Sequence, residues 1–359
     1  MQGKMKAQVF YEPENMKFEK VDIPEINDDE VLIKVRACGI CGSDIAYYWG
    51  LSPLETSTGK GPLILGHELA GEVVEVGRIP DKMGLFKPGD RVVAEPVQYC
   101  NTCEMCKRGM VNLCDNKTVL GVSVNGGFAE YVKSKYTGLH KLPDNMSFEE
   151  GTFVEPLSNA VYAVNNLDVS FGNLCVVFGP GPIGNMIVQL LKSKGAGKIV
   201  LVGTRDYRLE LGEKSGADVI INVKEKDSKY YTTDLGEEIK SLSQGKMANR
   251  VICATGSPEA MQQALEISGK RAVIVYFGLP GPDDIIRVPA LNSLTMDKTI
   301  RFSWLSPLTW PTTIQSIATG LVKVKDLITH RFDLEDALKG LQAIKNREDN
   351  AMKGIIIPS

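Results

Sequence analysis

An α/β fold of two domains, one β-rich and one a doubly wound parallel sheet, is what this sequence predicts, and three features carry that reading. The first 90 residues run in short alternations of apolar and polar side chains (31–35, 72–76, 91–94) broken by Gly and Pro, the period-2 signature of half-buried strands. From about Pro156 the texture changes to apolar runs alternating with amphipathic stretches (174–178, 183–194, 199–202, 207–215, then 250–254, 258–268 and 272–277). This βαβ rhythm predicts a parallel sheet with helices on both faces. After Pro289 it fades into helical segments at 312–319 and 334–345 and a closing strand at 353–357, expected to return to the first domain. The predicted partition is therefore 1–156 with 296–359 for the β-rich domain and 157–295 for the parallel sheet, and 359 residues are ample for both.

Composition narrows the function classes. Hydrophobic residues at 43% and charged residues at 24% match an ordinary globular chain. A net charge of -3, with no basic cluster interleaved with aromatics, argues against a nucleic-acid partner. The uncharged stretch 174–191 is interrupted by Gly179, Pro180, Gly181 and Pro182, which argues against a membrane span. The N-terminus lacks the apolar core of a secretory signal, so a cytoplasmic location is expected. Met5-Lys6-Ala7 reads as a natural start, with residues 1–4 as an upstream extension or a cloning remnant.

Gly179-x-Gly181-x-x-Gly184 follows the apolar run 174–178 directly and opens a helix-like segment through Pro182 and Ile183. Glycines there permit a tight turn, close approach of backbone to a pyrophosphate and close helix packing, while the helix N-terminus attracts phosphate charge. An NAD site wants an acidic residue at the end of the second strand to grip the ribose 2'-hydroxyl. Here that strand ends Val202-Gly203-Thr204-Arg205. Gly203 removes the carboxylate, and Arg205, with Thr204 and Arg208, suits a 2'-phosphate through charge-assisted bonds. NADP is therefore expected over NAD, with Asp206 as the NAD alternative if the strand ends later. Thr255, Gly256 and Phe277 are further expected cofactor contacts.

Cys100-x2-Cys103-x2-Cys106-x7-Cys114 supplies four thiols in one loop, about 95–116, and four soft ligands in a tetrahedron suit zinc. A site so filled leaves no position for substrate, so its expected role is structural. A second set is dispersed: Cys41, His67 with Glu68, and Glu155. A catalytic zinc commonly has three protein ligands and one open position. Two zinc ions per chain are expected.

In sequence order, Gly-Ile-Cys-Gly-Ser-Asp around Cys41, Gly-His-Glu-Leu-Ala-Gly around His67, the four-cysteine lobe, Gly-Gly-Phe-Ala-Glu-Tyr ending at Tyr131, Glu-Pro-Leu-Ser from Glu155 and the Gly179 fingerprint resemble the medium-chain zinc-dependent alcohol dehydrogenases over essentially the whole chain. The sorbitol (polyol) and L-threonine dehydrogenase branches are most similar. The resemblance implies a GroES-like catalytic domain interrupted by a Rossmann domain. It implies Cys41, His67, Glu68 and Glu155 at the catalytic zinc, with the directly bound glutamate left open. It implies Ser43 as the first member of a proton relay, and Arg301 as the arginine that polyol dehydrogenases hold near substrate. Relatives that place a histidine at the position of Ala46 extend the relay there; here Tyr47 or solvent is the substitute, and Tyr47, Tyr48 and Trp49 are equally candidates for the pocket wall.

The expected reaction is hydride transfer between a secondary alcohol, polyol or sugar-like, and NADP or NAD. The expected partners are a small alcohol or ketone and further copies of the chain, as dimer or tetramer. The enzyme alternative is an L-threonine or simple secondary-alcohol dehydrogenase, favoured by Glu-Pro-Leu-Ser-Asn-Ala at 155–160. The non-enzyme alternative is a dinucleotide-binding sensor or structural protein.

Overall fold

The computed structural model describes residues 2–52 and 61–358, and the chain divides into two compact units, Met1–Pro156 with Trp310–Thr319 and Val324–Ser359, and Leu157–Thr309 with Gly320–Lys323. Strands are numbered in chain order. The first unit contains β1 (Lys4–Glu12), β2 (Asn15–Asp22), β3 (Glu30–Gly39), β4 (Leu63–Ile64), β5 (Glu68–Val76), β6 (Arg91–Ala94), β7 (Val97–Gln98), β8 (Thr118–Val119), β9 (Tyr131–Lys135) and β10 (Leu139–Lys141). After the excursion into the second unit come β17 (Ile328–Asp333) and β18 (Lys353–Ile357). Lys4, read as part of an upstream extension, already pairs with Asp22 in β1; Met1 lies outside the described residues.

β3 is the strand around which this unit is built. Its sequence Val31-Leu32-Ile33 is fully buried, with β5 paired along one edge and β9 along the other, while β18 pairs only with Cys38 and Gly39 at its end. The sheet runs β10-β6-β5-β3-β18-β17, with β2-β1-β4 as a separate antiparallel layer. Two registers matter for the site: Gly39 at the end of β3 faces Glu68 at the start of β5, and it faces Ile355 in β18. The helix Ala337–Asn346 buries Leu341 against this core.

The second unit is the predicted Rossmann sheet. β11 (Leu174–Phe178), β12 (Lys198–Gly203), β13 (Val219–Asn222), β14 (Ala248–Cys253), β15 (Ser268–Tyr276) and β16 (Thr299–Phe302) are all parallel, in the order β13-β12-β11-β14-β15-β16. β11 is buried at every residue, as a central parallel strand covered on both faces must be. The order reverses between β11 and β14, and ligands of such sheets bind at the carboxyl ends beside that reversal.

One expectation is corrected here. The second domain boundary, placed at 295–296, falls at 309–310 instead, because Thr299–Phe302 pairs in register with Val273–Tyr276 as the sixth parallel strand. The fading of the βαβ rhythm after Pro289 hid a short edge strand whose side chains are mostly exposed. Among the described residues no helix is long and apolar enough to cross a membrane.

Candidate active site

The first unit assembles its dispersed ligand set through strand register. Cys41 lies two residues past the end of β3, and His67 and Glu68 lie at the start of the antiparallel β5, so the Gly39–Glu68 pairing brings them to one place. One ligand atom from each of Cys41, His67 and Glu68 lies within 4.8 Å of the others. Glu155, in the first turn of the helix Val154–Asn166, does not join that trio; its charge is felt by the neighbouring Lys353.

Two residues that the sequence reading did not use hold the trio. Asp44, 1% exposed, accepts from the Cys41 amide (2.8 Å) and from the Gly66 amide (3.2 Å) and faces His67 Nδ1 at 3.5 Å. One carboxylate thus ties both ligand-bearing loops together, closing the capping box of the helix Gly42–Tyr48. Burial alone would lower His67, yet Asp44 and Cys41 beside it hold its imidazole well above the usual histidine range. Lys353, 4% exposed, donates to the Ile40 carbonyl (3.0 Å) and to Glu68. Burial would likewise lower its ammonium, but Glu68, Cys41 and Glu155 raise it. β18 delivers this lysine because Ile355 pairs with Gly39, so the strand's first residue reaches past the end of β3. His67 Nδ1 finds no hydrogen-bond partner among the described residues. Such a donor set fits a divalent metal ion.

Ser43 stands two residues after Cys41 in the helix Gly42–Tyr48, half-buried. The Tyr47 hydroxyl is buried with no partner among the described residues. Arg301 lies in the edge strand β16 of the other unit and donates to the Asn166 carbonyl at 2.7 Å.

The four-cysteine lobe is a contiguous loop clamped at its base by the β7–β8 pair. One sulfur from each of Cys100, Cys103, Cys106 and Cys114 lies within 4.8 Å of the rest. The Thr102 hydroxyl, with the Thr102 and Cys103 amides, pulls the Cys100 thiol down to about 5, whereas burial and the neighbouring thiols push Cys106 up to about 12. Backbone amides also lower the Cys103 thiol, so two sulfurs ionise readily while Cys106 resists, as like charges crowded together must. A dication at the centre removes that conflict, so the donor set fits zinc.

In the second unit Gly179 turns the chain with φ of +96° after β11. A Cβ on Gly184 would collide with the Gly179 carbonyl, while one on Gly181 would point into open space, the arrangement that lets a pyrophosphate reach the backbone. Pro182 and Ile183 form the first turn of the helix Pro182–Ser193, whose N-cap is Gly181. Thr255 and Gly256 follow β14, and Phe277 follows β15, at the same carboxyl edge of the parallel sheet. Gly203 also has a packing reason: a Cβ there would collide with the Pro180 ring. Asp206 is engaged structurally, accepting from Asn222 and Ser228, both at 2.7 Å. Arg208 donates to the Tyr207 hydroxyl (2.8 Å), and Arg205 pairs with Glu225 at 2.6 Å.

Comparison with known proteins agrees with this geometry. Residues 27–144 match the alcohol dehydrogenase GroES-like domain, and residues 182–319 match the zinc-binding dehydrogenase domain. A sorbitol dehydrogenase of Bacillus subtilis (strain 168) is 34% identical over 99% of this chain and 98% of its own. An L-threonine 3-dehydrogenase of Caldanaerobacter subterraneus subsp. tengcongensis is 36% identical over 95% and 96%. Among solved structures, a zinc-binding dehydrogenase of Sinorhizobium meliloti 1021 bound to NADP superposes with a TM-score of 0.88 at 27% identity, covering 99% of this chain and 100% of that one. A dehydrogenase of Escherichia coli CFT073 complexed with NADH gives 0.88 at 28%, covering 99% of each.

Asp44→Ala leaves two buried amides, those of Cys41 and Gly66, without their acceptor. Each orphaned donor costs about 1–3 kcal/mol, so urea unfolding of the variant is expected at about 2–6 kcal/mol lower stability, with a matching loss of bound metal at the trio. Unfolding at the wild-type midpoint with full metal content would show that the carboxylate does not organise these loops.

Proposed function

The chain belongs to the medium-chain zinc-dependent alcohol dehydrogenase family, an oxidoreductase family with zinc and a nicotinamide cofactor, and we propose that it interconverts a secondary alcohol of the polyol or sugar class and its ketone with NADP(H). The observation that carries this reading is the trio of half-buried Cys41 with buried His67 and Glu68, whose ligand atoms lie within 4.8 Å, a three-donor set that suits a zinc with its fourth position open. Zinc held by Cys41, His67 and Glu68 would supply a Lewis acid that lowers the pKa of an alcohol hydroxyl toward neutrality, and a nicotinamide cofactor held at the Gly179–Gly184 turn would supply the hydride acceptor, leaving the hydroxyl proton for the chain's own residues to remove.

The chain's own residues do the rest. Of the two candidate glutamates, membership of the trio favours Glu68 as the third protein donor, with Lys353 sharing its carboxylate; Glu155 acts through its charge. Ser43, in the first turn after Cys41, accepts the departing proton. The unpartnered hydroxyl of Tyr47 supports it, rather than a histidine, as the next member of the relay or as a contact to substrate. The four cysteines bind a second, structural zinc. Loss of the strand-end carboxylate at Gly203, together with Thr204, Arg205 and Arg208, supports NADP over NAD, and the engagement of Asp206 by Asn222 and Ser228 weakens the NAD alternative.

The similarity to an L-threonine 3-dehydrogenase supports one rival, oxidation of L-threonine or of a simple secondary alcohol. A coupled screen of polyols, L-threonine and 2-alkanols with both cofactors separates the readings: turnover confined to L-threonine or 2-alkanols rejects the polyol assignment.

The outer edge of the Rossmann sheet supports self-association. Among the described residues β16 pairs only with β15, and Phe302 on it, with Ile285, Leu291 and Leu294 in the segment that leads to it, is between 72% and 79% exposed. An open edge strand beside such a patch favours pairing with another chain.

Three outcomes follow. Elemental analysis gives two zinc ions per chain, falling to one in Cys41→Ala with folding preserved and turnover abolished. Cys103→Ala chiefly lowers stability, by at least ~2 kcal/mol or about 4–8 °C in Tm; one zinc in fully active wild type rejects the two-site reading. Ser43→Ala slows turnover roughly 100-fold or more, and an unaltered pH–rate profile in that variant removes Ser43 from the relay. Sedimentation of wild type gives a dimer or tetramer, and Leu294→Glu shifts it to monomer; a monomeric wild type rules out the edge as an interface.

A further inference from the structure

Arg205, the residue read as the anchor for a 2'-phosphate, already has a counter-ion. Its Nη1 lies 2.6 Å from Glu225 Oε1, and the other carboxylate oxygen accepts from Asn222 Nδ2 at 3.1 Å. The position of Glu225 is set by the sheet. Gly203 and Asn222, the last residues of β12 and β13, pair in parallel register. Asn222 is fully buried, and its Oδ1 accepts from the Lys224 and Glu225 amides, both at 2.9 Å. The loop carrying Glu225 is thereby pinned to the end of β13, beside the end of β12 where the ribose 2'-position of a bound dinucleotide falls. Arg205 holds the Glu225 carboxyl below the usual carboxylate range, so it is ionised at neutral pH. The two side chains are 37% and 35% exposed and accessible to a ligand.

We propose that Glu225 determines how strongly this site selects a 2'-phosphate, by competing with that phosphate for the guanidinium of Arg205. The inference rests on the reading of Arg205 as the phosphate-binding group. With NAD(H) the Arg205–Glu225 pair stays closed. With NADP(H) the guanidinium passes from Glu225 to the phosphate, and Glu225 keeps its bond from Asn222. A partly exposed ion pair is worth roughly 1.4-fold to 5-fold, less than the roughly 10-fold to 150-fold of a charged hydrogen bond to phosphate. NADP(H) therefore still wins, but by a narrower margin than an unopposed arginine gives. A carboxylate on Gly203 itself is barred by Pro180, so the selectivity of this strand end is adjusted from the loop that follows the neighbouring strand.

The test is fluorescence titration of NADPH and NADH into wild type, Glu225→Gln, Arg205→Leu and the double variant, with thermal melts to confirm folding. Glu225→Gln is expected to raise the ratio of the NADH to the NADPH dissociation constant by about 3-fold to 10-fold, through loss of both competition and like-charge repulsion. Arg205→Leu is expected to lower that ratio, and Glu225→Gln to add little in its absence. Glu225→Ala, which removes the competitor without the retained amide, moves the ratio in the same direction as Glu225→Gln. If Arg205→Leu lowers the ratio while neither Glu225 variant raises it, the competition is refuted and the phosphate role of Arg205 survives. If Arg205→Leu leaves the ratio unchanged, the phosphate reading fails and this inference falls with it.

Discussion

Two carboxylates, Asp44 and Glu68, lie only 1% exposed in the β-rich unit, and the surrounding structure is arranged to offset that burial. An ion taken out of water is penalised by several kcal/mol unless hydrogen bonds or an opposite charge compensate it. Asp44 is compensated by backbone amides at both ligand loops, and Glu68 by the buried ammonium of Lys353. The same contacts fix the places of Cys41, His67 and Glu68. Compensation of buried charge and preorganisation of a metal site are here one set of interactions, so the ligands stand assembled within 4.8 Å by the fold itself.

The Rossmann unit handles charge differently. Its fingerprint offers backbone rather than side chains: a positive-φ turn at Gly179 and an open face at Gly181 leave amides at a helix N-terminus to meet phosphate. Side-chain charge is confined to the rim, where Arg205, Glu225, Asn222, Asp206 and Ser228 form one connected network. A partly exposed network of this kind contributes little to stability, which leaves its members available for exchange with a ligand.

Features carried by neighbours in the sequence were legible from it. The four-cysteine loop spans residues 100–114, and the glycine fingerprint sits on one strand–helix turn, so spacing alone states the chemistry. The β-rich and parallel-sheet textures separated correctly because periodicity is a local property. Three things were not legible. Lys353 meets Glu68 across 285 residues. Glu225 answers Arg205 from the loop after the adjacent strand, 20 residues on. β16 joins the Rossmann sheet through a run whose exposed side chains lack the apolar signal of its neighbours.

By itself, then, the sequence determined which ligand types are present, that two sets of them exist, and that a dinucleotide turn lies between β-rich segments. The tertiary structure decided which of the four candidates Cys41, His67, Glu68 and Glu155 converge, that a lysine stands among them, and that the strand-end arginine is already paired. The reason is register. A residue's partner across a sheet is set by how two strands align, as Gly39 with Glu68 and with Ile355, or Gly203 with Asn222. That alignment is chosen by the packing of whole faces, and no short stretch of sequence contains it.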